Sequence, residues 1–186
     1  MVPLTQLWLA VIIAAVLVFV ASSVIHTLLK YHQSEYKKLP DEAKLLDAMR
    51  TAGVQRGTYA FPRAADHKDM SSPEMIDKYN QGPVGMMTVM QNGPPAMGKS
   101  LTQWFIYCLV IGVFAAYVAG RTLSPGEEYM QVFRVVGTAA FLGYAGAVAQ
   151  DAIWMGQAWS ATIKSTFDGL VYGLLTAGVF GWLWPQ

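Results

Sequence analysis

The chain has 186 residues, 54 % of them hydrophobic and 13 % charged, with a formal charge of +1. A soluble domain usually carries about 25 % charged residues, so the composition points to lipid. The near-neutral balance, with no basic block, excludes a nucleic-acid partner. The lone cysteine, Cys108, excludes an internal disulfide and a Cys-x-x-Cys metal or redox pair. Charge is segregated: ten of the 13 Lys and Arg and eight of the 12 Asp and Glu lie between Lys30 and Lys99.

The first apolar run, residues 4–29, has no charge from Leu7 to Ile25, long enough to cross a hydrocarbon core of roughly 30 Å. No basic residue precedes it, and it exceeds the apolar region of about 7–15 residues in a cleavable signal peptide. It reads as a first span. Residues 30–100 form a polar loop with its own punctuation. PDEAKLLDAMRTAG reads as a short amphipathic helix with Asp41 and Glu42 in its first turn and Gly53 after its end. GTYAFP alternates like a strand. SSPEMIDKYNQG reads as a second short helix with Ser72 as N-cap, Pro73 in the first turn and Gly82 as stop. VGMMTVMQNGPP reads as a strand or interfacial stretch.

Three further apolar runs follow, at residues 101–120, 129–154 and 165–184, with Trp and Tyr near their ends, where amphipathic rings favour the headgroup layer. The expected architecture is a single all-α integral membrane domain. It is a four-transmembrane-helix bundle with a mostly cytoplasmic loop or cap between helices 1 and 2. Four spans place residues 30–100 and 155–164 on one side, with 11 of the 13 Lys and Arg. The positive-inside rule then makes the long loop cytoplasmic and puts both termini outside.

The letters Gly93-Pro-Pro-Ala-Met-Gly98-Lys99-Ser100 satisfy a P-loop pattern. A phosphate cradle needs consecutive backbone N–H groups, and Pro94 and Pro95 have none; a rigid turn at the membrane surface fits better. Met86, Met87, Met90 and Met97 suggest soft copper ligands, but with no Cys or His beside them they read as an adaptable apolar surface. Small residues recur at helical spacing in the later spans. The rows are Gly112, Ala116 and Gly120; Ala139, Gly143 and Ala147; and Gly169, Gly173, Ala177 and Gly181. Such rows let helix backbones approach closely, either within the bundle or against a partner. The first span shows only Ala10 and Ala14, so it is left to face lipid or a partner.

Intramembrane ionisable groups are costly and seek partners. His26, Asp151 and Asp168 fall toward the cytoplasmic side with Lys99 and Lys164, as a candidate polar cluster. Asp151 continues the row 139, 143, 147 and is expected to point into the bundle. Three accounts stay open: pairing that fixes helix register, a proton or ion relay, and a metal or catalytic site, for which no His-x-x-His spacing speaks. His32 and His67 are expected in solvent, and Arg134 beside Glu127 or Glu128. No cofactor is expected.

The stretches SSVIHTLLKYHQSEYKKLPDEAKLLDAMRTAGVQRGTYAFP, QGPVGMMTVMQNGPPAMGKSLTQWF and FDGLVYGLLTAGVFGWLWP resemble an uncharacterised family of small four-helix bacterial inner-membrane proteins. The resemblance implies a bacterial, multi-pass protein and carries no catalytic role to any residue. The expected function is that of a non-catalytic accessory or scaffold subunit. Its partners would be membrane lipids and a larger membrane complex or further copies of itself. A small ion or proton transporter using His26, Asp151 and Asp168 is the alternative, and a lipid-modifying enzyme the third reading.

Overall fold

Twenty residues without a Lys, Arg or carboxylate, Trp8–Thr27, make the first helix (α1) of the computed structural model, which describes residues 1–186. Its buried face is Ala10, Ala14, Val18 and Ser22, spaced by one turn, flanked by Val11, Ala15 and Ile25. Its other face leaves Trp8, Ile12, Val16 and Val20 exposed. The later long helices are α4 (Met97–Thr122), α5 (Tyr129–Ala145) and α7 (Trp159–Trp182), with the short α6 (Ala149–Met155) before the last. Helix α1 packs on α4 and α7, α4 on α5, and α5 on α7, closing a ring of four.

Three stretches are long and apolar enough to cross a membrane: Trp8–Thr27, Met97–Thr122 and Tyr129–Met155. The last is shared by α5 and α6. Helix α7 is 24 residues long, and Lys164 and Asp168 lie in its first half. The protein is mostly helical, with one two-stranded sheet.

Small residues set how closely the ring closes. A Cβ on Gly169 would lie 2.7 Å from the Ala145 Cβ, and one on Gly173 3.2 Å from the Phe141 backbone nitrogen. Ala177 meets α5 at Gly137, and Gly181 packs under the Tyr129 ring. On α4, Gly112 faces Val11 of α1, Ala116 is fully buried, and Gly120 sits where a Cβ would lie 2.5 Å from the Val2 carbonyl oxygen. That approach is fixed by the 2.8 Å bond from Val2 N–H to the Gly120 carbonyl. Gly143 packs against Ile111, and Ala139 is half-buried. Helix α1 thus packs on two neighbours, as each helix of the ring does, and its packing row passes through valine and serine as well as alanine.

The third apolar run does not continue as one helix. After Ala145 the bonds Val148 N–H to Ala145 O (3.3 Å), Gln150 N–H to Ala147 O (3.0 Å) and Asp151 N–H to Val148 O (3.3 Å) replace the α-helical ladder. This tighter, three-residue pattern changes the helical phase. Ala147 and Asp151 thus leave the row begun by Ala139 and Gly143, and both are exposed. Asp151 does not point into the bundle.

The sequence reads as one integral domain, whereas the chain divides into two compact units. One comprises Met1–Tyr36, Ala96–Ala152 and Gln157–Gln186, the other Lys37–Pro95 and Ile153–Gly156. The second has its own elements: α2 (Glu42–Thr51), β1 (Gly57–Phe61), α3 (Pro73–Gln81) and β2 (Gly85–Val89). The Asp41 side chain caps α2 by accepting from Lys44 N–H at 3.1 Å. Ser72 caps α3 through Met75 N–H at 3.2 Å, and Gly82 ends that helix at φ 60°, a conformation that suits glycine. The strands pair antiparallel, with Tyr59 opposite Met87 and Phe61 opposite Gly85. Met86, Met90 and Met97 are exposed. In the P-loop-like stretch, α4 begins at Met97, so Gly98, Lys99 and Ser100 lie in a helical first turn and form no cradle.

Candidate functional site

Helix α1 ends at Thr27, and the chain turns through an extended Leu29 into a 3-10 segment, Lys30–Glu35. That segment is fastened to α7. The Lys164 ammonium donates to the Tyr31 carbonyl at 2.6 Å and to Ser34 Oγ at 2.8 Å, and lies 3.7 Å from the Glu35 carboxylate. Asp168, one turn further along the same helix face, is 4 % exposed. It accepts from the Tyr31 hydroxyl at Oδ1, and His32 Nε2 lies 2.7 Å from its Oδ2. His32 Nδ1 in turn lies 2.6 Å from Glu35 Oε1.

His26, in the last turn of α1, stacks on His32 with ring centres 4.7 Å apart and planes within 7°. Its Nδ1 lies 3.0 Å from the Ser22 carbonyl oxygen. Ser22 is itself buried and held by α4, since Trp104 Nε1–H donates to its hydroxyl at 2.8 Å. Beneath these groups lies an apolar cluster of Ala15, Val18, Ile25, Cys108 and Tyr172, against which Tyr31 and Trp104 pack. The Tyr172 hydroxyl, one turn beyond Asp168, is buried without a hydrogen-bond partner.

Donor and acceptor arithmetic limits what this arrangement can be. A carbonyl only accepts, so His26 Nδ1 carries the hydrogen, and the neutral ring keeps its lone pair on Nε2. Carboxylates accept, and His32 has one on each ring nitrogen. Both contacts are satisfied only when a cation, a proton or a metal ion, sits between Nε2 and Asp168. Burial, joined by the hydrogen bond to Asp168, pushes the Tyr31 phenol above its ordinary pKa. Tyr31 therefore remains a proton donor to that carboxylate across the physiological range.

Of the five residues expected as a polar cluster, the structure brings together His26, Asp168 and Lys164. Asp151 is exposed on α6, and Lys99 is exposed in the first turn of α4. Their places are taken by His32, Tyr31 and Glu35. His32 is not solvated as expected: its side chain is 13 % exposed and paired on both sides, whereas His67 is exposed. The one available signal was the Lys164/Asp168 spacing of four on a helix. His26 and His32 straddle a helix end, where no periodic rule relates two positions. Arg134 pairs with neither Glu127 nor Glu128; it is exposed and borders apolar grooves along α5. Comparison with known protein families, curated proteins and solved structures finds no match for this chain.

Proposed function

We propose that this chain is a four-span protein of a bacterial inner membrane and serves as a non-catalytic accessory or scaffold subunit of a larger membrane assembly. The observation that carries the reading is the filled interior of the helical ring. Val18, Val132, Val136, Thr176 and Phe180 occupy it, each under 2 % exposed. A conducting protein needs a polar path between faces, whereas this ring has one charged cluster where α1 gives way to the 3-10 segment and, beyond it, an interior whose buried polar groups, the Tyr172 and Thr176 hydroxyls, carry no charge. The exposed apolar faces of α1 and α4, which include Ile12, Val16, Val110 and Phe114, suit lipid chains or an apolar partner helix.

Helix α7 counts as the fourth span. Its 24 residues extend about 36 Å at 1.5 Å per residue. Its two charges are met by the Lys30–Glu35 segment rather than by lipid. With four spans, the Lys and Arg distribution puts the long loop in the cytoplasm and both termini outside. In this role the Tyr31, His32 and Asp168 contacts act as a clasp that sets where the chain leaves α1.

The test is mild extraction of the chain with native lipid, mass analysis of what accompanies it, and a flux assay on proteoliposomes. A stoichiometric membrane companion with no flux is the expected result. A homogeneous protein bearing only lipid, with proton or cation flux lost in Asp168→Asn, would overturn the reading in favour of a transporter.

A further inference from the structure

One donor atom from each of His26, His32 and Asp168 lies within 4.8 Å of the other two. We propose that these residues bind one divalent first-row transition-metal ion through Nε2 of both histidines and a carboxylate oxygen of Asp168. The supporting contacts are those a metal site requires. Metal-ligating histidines nearly always donate their second N–H to a carboxylate or backbone carbonyl, which fixes tautomer and ring orientation. Here His32 Nδ1 is 2.6 Å from Glu35, and His26 Nδ1 is 3.0 Å from the Ser22 carbonyl. Both rings are thus left with Nε2 as the ligating nitrogen. The carboxylate is supported too, because Tyr31 donates to the oxygen of Asp168 that His32 does not face.

His32 Nε2 and Asp168 Oδ2 stand 2.7 Å apart and need a cation between them. A metal ion takes the place of the proton they otherwise share. Ligand bonds of about 2.0–2.2 Å separate neighbouring donors by roughly 3 to 3.5 Å, and a metal lies in the plane of each ligating imidazole, so His26 has to close in by about 1 to 2 Å and turn its ring out of the parallel stack on His32. It can, being exposed in a last helical turn. Two imidazoles and one carboxylate suit zinc, iron, cobalt, nickel or copper better than magnesium or calcium, which take all-oxygen sets. Three protein ligands leave an open coordination position for water. The buried, unpartnered hydroxyl of Tyr172, one turn from Asp168, is a polar group on that side of the helix.

This inference does not depend on the scaffold reading; the two are separated by measuring metal and companions independently. The experiment uses the full chain in detergent, without a polyhistidine tag, stripped with a chelator and titrated with Zn²⁺, and with Co²⁺ for its visible spectrum. One Zn²⁺ per chain and a ligand-field band with Co²⁺ are expected, and neither should respond to excess Mg²⁺. Glu35→Gln should keep the stoichiometry and weaken binding about 10–100-fold. His26→Ala, at an exposed position, should weaken it further, with helicity checked by circular dichroism. Asp151→Asn should bind as the parent does. The proposal fails if the parent chain shows no saturable binding, or if His26→Ala and Glu35→Gln both bind like the parent.

Discussion

The helical unit and the unit built on Lys37–Pro95 are opposites in what they hide. In the first, helices meet through glycine, alanine and valine around a few large buried side chains, Leu7, Tyr172 and Phe180, and many large apolar side chains face outward; Trp8, Ile12, Phe114 and Leu142 are exposed, while Gly112, Ala116 and Gly173 are buried. In the second, charges face outward from both helices, and Met75 is the sole fully buried side chain on α2 or α3. The first unit is held by close backbone approach and one polar clasp. The second is held by caps, turns and a strand pair. A substitution should therefore act sterically in one and through a lost local hydrogen bond in the other.

The largest effect should come from the α5–α7 seam. Gly169→Leu places a branched side chain where even a Cβ would lie 2.7 Å from Ala145. Forcing extra carbons into a packed interface costs about 1–3 kcal/mol and sometimes more. A loss of about 3 kcal/mol or greater is expected in reversible detergent unfolding. Gly98→Leu is the contrast, since nothing lies within 4 Å of its Cβ position; it should stay within about 0.5 kcal/mol of the parent. Equal losses at both glycines would mean that backbone conformation, not packing, sets the cost.

The seam was legible in the sequence because a row at spacing four is a local property. Gly169, Gly173 and Ala177 announce a close helix neighbour, though not which one. The caps of α3 were legible for the same reason: Ser72, Pro73 and Gly82 act on backbone groups within four residues. The clasp was only half legible. Asp168 and Lys164 mark themselves as polar groups in an apolar run, but Tyr31 lies 133 positions from Lys164 and His32 136 from Asp168 along the chain, with Glu35 close beside them in sequence. Their meeting depends on the 3-10 turn after Thr27. Asp151 misled because its row assumed an unbroken helix through Gly146, and three three-residue bonds end that phase.

Asp168→Ala should come second. It removes the acceptor of the Tyr31 hydroxyl and the counter-charge of His32 from a site 4 % exposed. Removing one partner of a buried charged pair costs about 3–5 kcal/mol, and the 13 % exposure of the His32 side chain lowers the expectation to about 2–3 kcal/mol. Amide exchange over residues 30–35 should speed up with it. Asp151→Ala, on an exposed carboxylate, should leave both measurements near the parent's. A Gly169-sized loss from Asp151→Ala would show that α6 packs far more tightly than its exposed surface indicates.

The smallest effect belongs to the second unit. Ser72→Ala deletes the oxygen that accepts from Met75 N–H at 3.2 Å and leaves Pro73 and the backbone path unchanged. Loss of a serine N-cap costs about 1 kcal/mol. Nine residues, Pro73–Gln81, are too few for a helix to be stable in water on its own propensity. The loss should therefore appear as faster exchange at the first-turn amides of α3, Met75 foremost. Ser72→Thr keeps a hydroxyl that accepts from Met75 N–H and donates to the Asp69 carboxylate, and threonine is also a favoured N-cap, so it should restore protection. If Ser72→Ala leaves Met75 as protected as before, α3 is held by burial of the Met75 side chain rather than by its cap. In that case the contrast between the two units narrows to one of degree.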